Sequence, residues 1–229
     1  MDDPIAPLNA AEARVLGALI EKQITTPDYY PLTLNALTNA CNQLTNRDPV
    51  VAFDESTVVR ALDGLREKRL ATLFTGQESR VAKYKHSLTD ALLLTPAEVA
   101  LLCVLLLRGP QTIGEIRINC DRLHRFADTS AVEGFLDELA LRPAGALVME
   151  LPRQAGARET RWCHLLSGAP AMGVQGSVSS NGDAAIARPT PVSDLDDLRA
   201  EIARLRADVE TLKEALATLT APRDRPPDS

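Results

Sequence analysis

Apolar residues recur at helical spacing in two segments of the chain, and the two segments resemble each other. "LNAAEARVLGALIEKQ" begins at Leu8, and "LTPAEVALLCVLLLRG" begins at Leu94. The spacing predicts a helix in each segment. A polar residue near the start of each segment (Asn9 or Thr95) is followed three positions later by glutamate, as in a capping box. The chain therefore contains an internal repeat that begins with a helix.

Two further matches extend the repeat. A second helix is predicted after Thr33 in the first copy and after Thr112 in the second, with Cys41 and Cys120 at matching positions. The third match pairs "STVVRALDGL", from Ser56, with "SAVEGFLDEL". Each copy then has two strand-like runs around a turn, which predict a β-hairpin. The order helix, helix, helix, hairpin is that of a winged helix-turn-helix.

The composition changes after the second hairpin. A segment rich in Gly, Ser, Ala and Pro predicts a flexible linker. A heptad pattern follows and predicts a coiled-coil helix. Its interface residues are Leu195, Leu198, Ile202, Leu205, Val209, Leu212, Leu216 and Leu219. We therefore expect a mainly α-helical α+β fold with two tandem winged-helix domains (1–90 and 91–168), a linker (169–192), a coiled coil (193–221) and a disordered tail (222–229).

The residues that flank the heptad core favour a parallel homodimer. Acids at the g positions stand five residues before bases at the e positions, which is the pairing between parallel, in-register helices. β-Branched residues such as Ile202 and Val209 at a, with leucine at d, favour the same geometry. The alternative is one amphipathic helix packed on its own domain. We expect the chain to pair with itself through this helix.

Charge is distributed unevenly along the chain. The formal net charge of −6 counts against a nucleic-acid-binding protein. Between Arg66 and His86, however, six Lys and Arg residues accompany only two acids. The third helix of the second copy has acids such as Glu133 and Asp137 and no basic residue before Arg142. We therefore expect the first copy to bind DNA and the second to pack or to bind a protein.

The polar stretch "NACNQLTNRDPV", from Asn39, lies just before the third helix of the first copy. Amides, hydroxyls and arginines reach phosphates and base edges, so this turn, the third helix and the hairpin form the expected DNA-binding surface. The expected contact residues are Asn42, Gln43, Thr45, Asn46, Arg47, Ser56, Thr57, Arg60, Arg66, Lys68, Arg69, Arg80, Lys83 and Lys85. Two alternatives remain. The turn could be a structured loop held by its own Asn and Asp side chains, and the basic residues could be an ordinary solvated surface.

Catalytic and metal-binding patterns are weak. Cys120 and His124 are four residues apart, whereas Cys163 and His164 are adjacent and would point to opposite faces of a strand. No Ser-His-Asp set, Gly-rich phosphate loop or paired carboxylates stand out, and His86 matches His164 in the repeat. We expect no enzyme activity, no cofactor and no metal.

The ends and apolar runs of the chain indicate its compartment. The N-terminus has acids and prolines where a signal peptide has a basic start and an apolar run. The most apolar segment, from Ala91 to Leu107, contains Pro96 and Glu98 and is too short to span a bilayer. We expect a cytoplasmic protein with reduced thiols and no membrane partner.

The run from Leu8 to Val50, followed by "DESTVVRALDGL" from Asp54, closely resembles the YceH family of bacterial proteins. The resemblance covers residues 8 to about 167. It implies a cytoplasmic protein with two winged-helix domains and no established activity. The family commonly has Lys where this chain has Leu44, which removes one positive charge from the expected surface. The sequence thus predicts a dimeric winged-helix DNA-binding protein, a transcriptional regulator. The alternative is a protein-interaction adaptor that does not bind DNA.

Overall fold

Side-chain caps begin the helices at the predicted places. The computed structural model describes residues 6–74, 81–153 and 156–170. Helix α1 (Ala10–Thr25) follows Asn9, whose Oδ1 accepts a hydrogen bond from the Glu12 N–H at 2.9 Å. Glu12 in turn accepts a hydrogen bond from the Asn9 N–H at 2.8 Å. This reciprocal pair is the capping box expected from the sequence, and it satisfies two N–H groups that the first turn leaves free.

The other helices of the first copy begin in the same way. Helix α2 (Leu34–Cys41) is capped by Thr33, and α3 (Glu55–Glu67) is capped by Asp54. A short 3₁₀ helix lies at Pro27–Tyr29. Strands β1 (Leu32–Thr33), β2 (Ala71–Phe74) and β3 (Lys83–His86) form an antiparallel sheet in the order β1-β3-β2. A five-residue helix, α4 (Leu88–Leu92), leads into the second copy.

The second copy repeats this plan with a smaller sheet. Helices α5 (Pro96–Arg108) and α6 (Ile113–Cys120) begin with capping boxes at Thr95 and Thr112, and α7 (Thr129–Ala140) is capped by Asp128. Strands β4 (Val148–Leu151) and β5 (Arg161–His164) pair antiparallel. In the described part of the chain the fold is therefore seven α-helices with small antiparallel sheets, which confirms the expected α+β class.

Strand pairing follows the repeat residue by residue. Leu32 of β1 pairs with Tyr84 of β3. At the matching place in the second copy, Gln111 forms a single bridge with Trp162. The second copy thus keeps the position of the third strand but reduces it to one residue pair. The two copies therefore have the same order of helices and strands where the repeat was found in the sequence.

The two copies share one hydrophobic core, in which α1 packs against α5. Gly17 allows the close approach, because a Cβ there would lie 2.8 Å from Leu107 Cδ2. Cys103 stands 86 positions after Gly17, at the same place in the repeat, and its Sγ lies 3.5 Å from the Gly17 carbonyl oxygen. Contact between equivalent residues is the geometry of a two-fold axis. The copies therefore pack like two subunits of a symmetric dimer joined in one chain.

Several sequence predictions concern residues outside the described ranges. The boundary between domains 1–90 and 91–168 stays a prediction, because both copies contribute to one core. Nearly all of the linker and all of the coiled coil, its eight interface residues and the tail lie outside the described residues. Arg80 also lies outside them.

Candidate nucleic-acid interface

The polar turn before α3 is held by its own side chains. The Asn42 side-chain amide donates to the Phe53 carbonyl and accepts from the Phe53 N–H, both at 2.8 Å. These two bonds close the turn in the way that a pair of strand hydrogen bonds would. The contacts of Asn42 therefore fit the alternative interpretation, a structured loop, better than they fit an amide that is free to contact DNA.

Arg47 lies inside the protein and not on the expected surface. Its side chain is 0% exposed, and Nη2 lies 2.6 Å from Oε2 of Glu21, which is itself buried. Arg47 also donates to the carbonyl oxygens of Ala40 and Asn46 and to Oε1 of Gln43. Burying a charge is costly unless it is paired and hydrogen-bonded, and here both conditions are met. The expectation that Arg47 contacts DNA is therefore corrected, because its guanidinium is fully used within the fold.

The turn also joins the first copy to the second. Oδ1 of Asn46 accepts a hydrogen bond from Nη2 of Arg108 at 2.5 Å. The Asp48 N–H donates to the Leu107 carbonyl at 2.9 Å, so the turn meets the C-terminal end of α5. Asn46 has a φ of 59°, a left-handed conformation that asparagine adopts more readily than most residues. Of the five expected contact residues in the turn, Thr45 is the one that is exposed.

The start of α3 is polar, and its side chains are linked to one another. Asp54 accepts hydrogen bonds from the Thr57 N–H at 2.9 Å and from the Ser56 hydroxyl at 2.8 Å. Its bonds to Thr57 and then to Ser56 lower the pKa of Asp54 to about 2. Arg60 donates to Oγ1 of Thr57 at 3.3 Å and is exposed. Ser56, Thr57 and Arg60 are therefore close together, beside a carboxylate that weakens the attraction of this end for phosphate.

The basic residues at the end of α3 have different environments. Arg66 is exposed and lies 3.2 Å from Asp63, an exposed pair of little energetic weight. Lys68 lies 2.6 Å from Glu12, which is buried, and only 17% of the Lys68 side chain is exposed. Arg69 is exposed and has a φ of 59°. Arg66 and Arg69 remain available to an external anion, whereas Lys68 serves to neutralise Glu12.

The first sheet has one basic face that contains an aromatic residue. Thr72 pairs with Lys85 and Phe74 with Lys83, so these four residues lie on one face. Lys85 is exposed, and Phe74 is 43% exposed. The sequence predicts both lysines as contact residues, but it does not predict Thr72 and Phe74. The alternation along "ATLF" could have placed them, but only once the register with β3 was known.

The outer face of α7 is acidic, as the sequence predicted. Glu133, Asp137 and Glu138 are exposed. Arg142, the first base after them, donates to the Leu92 carbonyl at 2.8 Å. The two copies therefore have third helices whose outer faces differ in charge.

The four cysteines and His86 are buried, and His164 is half-buried. All four cysteines are free thiols, and burial raises the pKa of Cys41 and of Cys120 to about 12. Burial lowers the pKa of His86 and of His164 to about 4. Within the described ranges, no three His, Cys, Asp or Glu side chains cluster as metal ligands do. The thiols act as small packing groups.

Comparison with known proteins gives the family. Residues 8–157 match the family described as "Protein of unknown function, DUF480". A UPF0502 protein of Opitutus terrae is 50% identical over 205 residues, which cover 90% of this chain and 86% of that protein. One from Geobacter sulfurreducens is 58% identical over 163 residues, which cover 71% of this chain and 74% of that protein. The chain belongs to the DUF480 family, and the predicted bacterial family is confirmed.

A third similar protein also matches most of this chain. A UPF0502 protein of Dechloromonas aromatica is 48% identical over 209 residues, which cover 91% of this chain and 94% of that protein.

Among the helices of the described residues, none has the length and apolar character needed to cross a membrane.

Proposed function

We propose that this member of the DUF480 family binds double-stranded DNA through α3 and the first sheet. The observation that carries the proposal is the set of exposed or half-exposed bases on neighbouring elements of the first copy. They are Arg60, Arg66 and Arg69 on or just after α3, and Lys83 and Lys85 on β3. We call these five residues and Ser56, Thr57, Thr72 and Phe74 the α3–sheet surface. Hydroxyls and bases of this kind bind phosphate oxygens.

The order of elements supports the proposal. In each copy two helices precede a third helix and a hairpin, and a winged helix-turn-helix has this order. In such a domain the third helix enters the major groove and the hairpin lies beside it. We interpret the two copies as tandem winged helices, of which the first contacts DNA.

Dimerisation is the second part of the proposal. The heptad residues from Leu195 to Leu219 would pair two chains in parallel. A dimer brings two α3–sheet surfaces to one duplex, as in many transcriptional regulators. Light scattering on a chain that ends at Val192 should give a monomer, whereas the full chain should give a dimer.

A triple variant tests the DNA-binding surface. Replacing Arg60, Arg69 and Lys85 by alanine removes three exposed charges and leaves the buried pairs intact. Binding of a labelled duplex of random sequence, followed by fluorescence polarisation at low salt, should weaken at least about tenfold, because the phosphate contacts dominate non-specific affinity. Lys68 is left unchanged, because its loss would remove the ion-pair partner of the buried carboxylate of Glu12.

A matched control separates local contacts from net charge. Replacing Arg125, Arg153 and Arg158 by alanine removes the same charge from exposed positions of the second copy. This control should bind the duplex like the unchanged chain. Equal weakening of both variants would mean that net charge alone governs the interaction, and the α3–sheet surface would then lose its role.

The exposed acids of α7 favour a second function, that of a protein-interaction adaptor. A face with Glu133, Asp137 and Glu138 repels phosphate but suits a basic protein surface. Reversing Glu133 and Asp137 to lysine should then remove protein partners captured by a tagged chain while duplex binding persists. Capture of the same partners by both chains would contradict the adaptor role of this face.

A further inference from the structure

A depression at the junction of the two copies brings together charged and amide side chains from both. It is shallow and open to solvent. The first copy contributes Glu21 and Asn46, and the second contributes Arg108, Asn119 and Arg122. The depression lies where the first helix of each copy meets the turn of the other. It is therefore a product of the pseudo-two-fold packing and would be absent from either copy alone.

Positive charge exceeds negative charge around the depression. Glu21 is already matched by Arg47, which lies 2.6 Å away beneath the surface. Arg122 approaches Glu21 only to 3.5 Å, and its side chain is 62% exposed. Arg108 has no carboxylate within 4.0 Å among the residues that the structure describes. Arg108 and Arg122 are therefore two positive charges without a full counter-charge in the fold.

Hydrogen bonds within the protein position the side chains that line the depression, but they leave N–H donors of the two arginines available. Arg108 donates to Asn46, and Nδ2 of Asn119 donates to Oε1 of Gln111 at 2.6 Å. A guanidinium has five N–H groups. Within the described ranges, Arg108 and Arg122 each donate one hydrogen bond to a protein acceptor. The carbonyls at the C-terminal end of α5 offset part of the positive charge. These carbonyls reduce the repulsion between the two arginines, but they do not accept hydrogen bonds from the remaining guanidinium N–H groups.

We propose that this depression binds a tetrahedral oxyanion, a phosphate group, between Arg108 and Arg122. Arginine forms paired N–H···O bonds with phosphate oxygens, and two such groups from neighbouring elements provide them from two sides. The anion neutralises the surplus charge and fastens the second copy to the turn of the first. This site is separate from the α3–sheet surface and does not depend on DNA binding there.

Calorimetric titration of the full chain with sodium phosphate tests the site. Sodium chloride at the same ionic strength is the reference. Arg122→Gln should weaken phosphate binding at least tenfold. Because the Arg122 side chain is exposed, the substitution should leave the stability of the fold unchanged. Arg108→Gln should do the same, with a thermal melt to verify that loss of the Asn46 contact leaves the chain folded. Arg125→Gln, at an exposed arginine outside the lining, should change the affinity less than twofold.

Two sources of phosphate give different results in a duplex titration. If the occupant is a free phosphate, Arg122→Gln leaves duplex affinity unchanged while phosphate affinity falls. If it is the DNA backbone, Arg122→Gln weakens both, and phosphate competes with the duplex. No phosphate binding beyond that of chloride, or the same loss in Arg125→Gln, would overturn the proposal.

Discussion

Replacing Arg47 by methionine distinguishes a structural arginine from a DNA-contacting one. Methionine keeps much of the length of the side chain but removes the guanidinium that neutralises Glu21 at 2.6 Å. The carboxylate, 4% exposed, then keeps only the longer contacts with Arg122 at 3.5 Å and Lys22 at 3.8 Å. The carbonyls of Ala40 and Asn46 and the amide of Gln43 lose a donor as well.

Removing one partner of a buried ion pair costs about 3–5 kcal/mol. Arg47 forms the shortest of the three ion pairs of Glu21, so we expect its loss to fall in this range. For a unit of this size, 1 kcal/mol shifts the melting temperature by about 2–4 °C. Arg47→Met should therefore lower the melting temperature by about 6–20 °C.

Urea unfolding of four chains measures the effect: the unchanged protein, Arg47→Met, Glu21→Gln and the double variant. The double variant should lose less free energy of unfolding than the two single variants lose together, because it has neither the buried carboxylate nor the buried guanidinium. Arg60→Met, at an exposed position, is the control and should leave the urea midpoint unchanged within error. A loss below about 1 kcal/mol for Arg47→Met, together with weakened duplex binding, would refute the structural role.

Two further changes test the packing of α1 against α3 and the titration of His86 and His164. Gly64→Ala should lower the melting temperature, because a Cβ there would lie 2.0 Å from Oε1 of Glu12 and would displace this buried carboxylate from Lys68. Gly134→Ala, where the added Cβ meets nothing within 4 Å, should not lower it. Equal effects of the two in thermal melts would contradict the close contact of α1 with α3. Because burial lowers the pKa of His86 and His164 to about 4, both stay neutral in the folded chain while the unfolded chain takes up protons below about 6.5. The free energy of unfolding should thus fall as the pH falls from about 6.5 towards 4, and it should fall less in the variant with glutamine at both histidine positions. Urea midpoints at pH 7 and pH 5 measure the difference. The same pH dependence in both chains would contradict the proposed role of the histidines.

The helices and the repeat could be predicted from the sequence because local patterns encode them. Asn9 with Glu12, and Thr95 with Glu98, are capping pairs three residues apart, so no distant contact was needed to find them. The hairpins were likewise visible as alternating runs. The pseudo-two-fold packing was not predicted, because it depends on Gly17 meeting an equivalent position 86 residues away.

The role of individual polar residues was harder to predict for the same reason. Arg47 and Lys68 have the composition of a DNA-binding surface, but each has a buried glutamate in α1 as its partner. Those carboxylates lie 26 and 56 residues earlier in the chain, and only the tertiary fold brings them together. Conversely, Phe74 was overlooked because a single aromatic in a strand is usually a core residue. The register with Lys83 places it on the basic face.

The salt dependence of duplex binding tests the proposed function most directly. The α3–sheet surface offers five exposed or half-exposed bases among the described residues: Arg60, Arg66, Arg69, Lys83 and Lys85. If each neutralises one phosphate, the logarithm of the affinity should fall against the logarithm of salt concentration with a slope of about −4.5 per chain. A slope near zero, or no binding below about 100 μM at low salt, would contradict DNA binding by this surface.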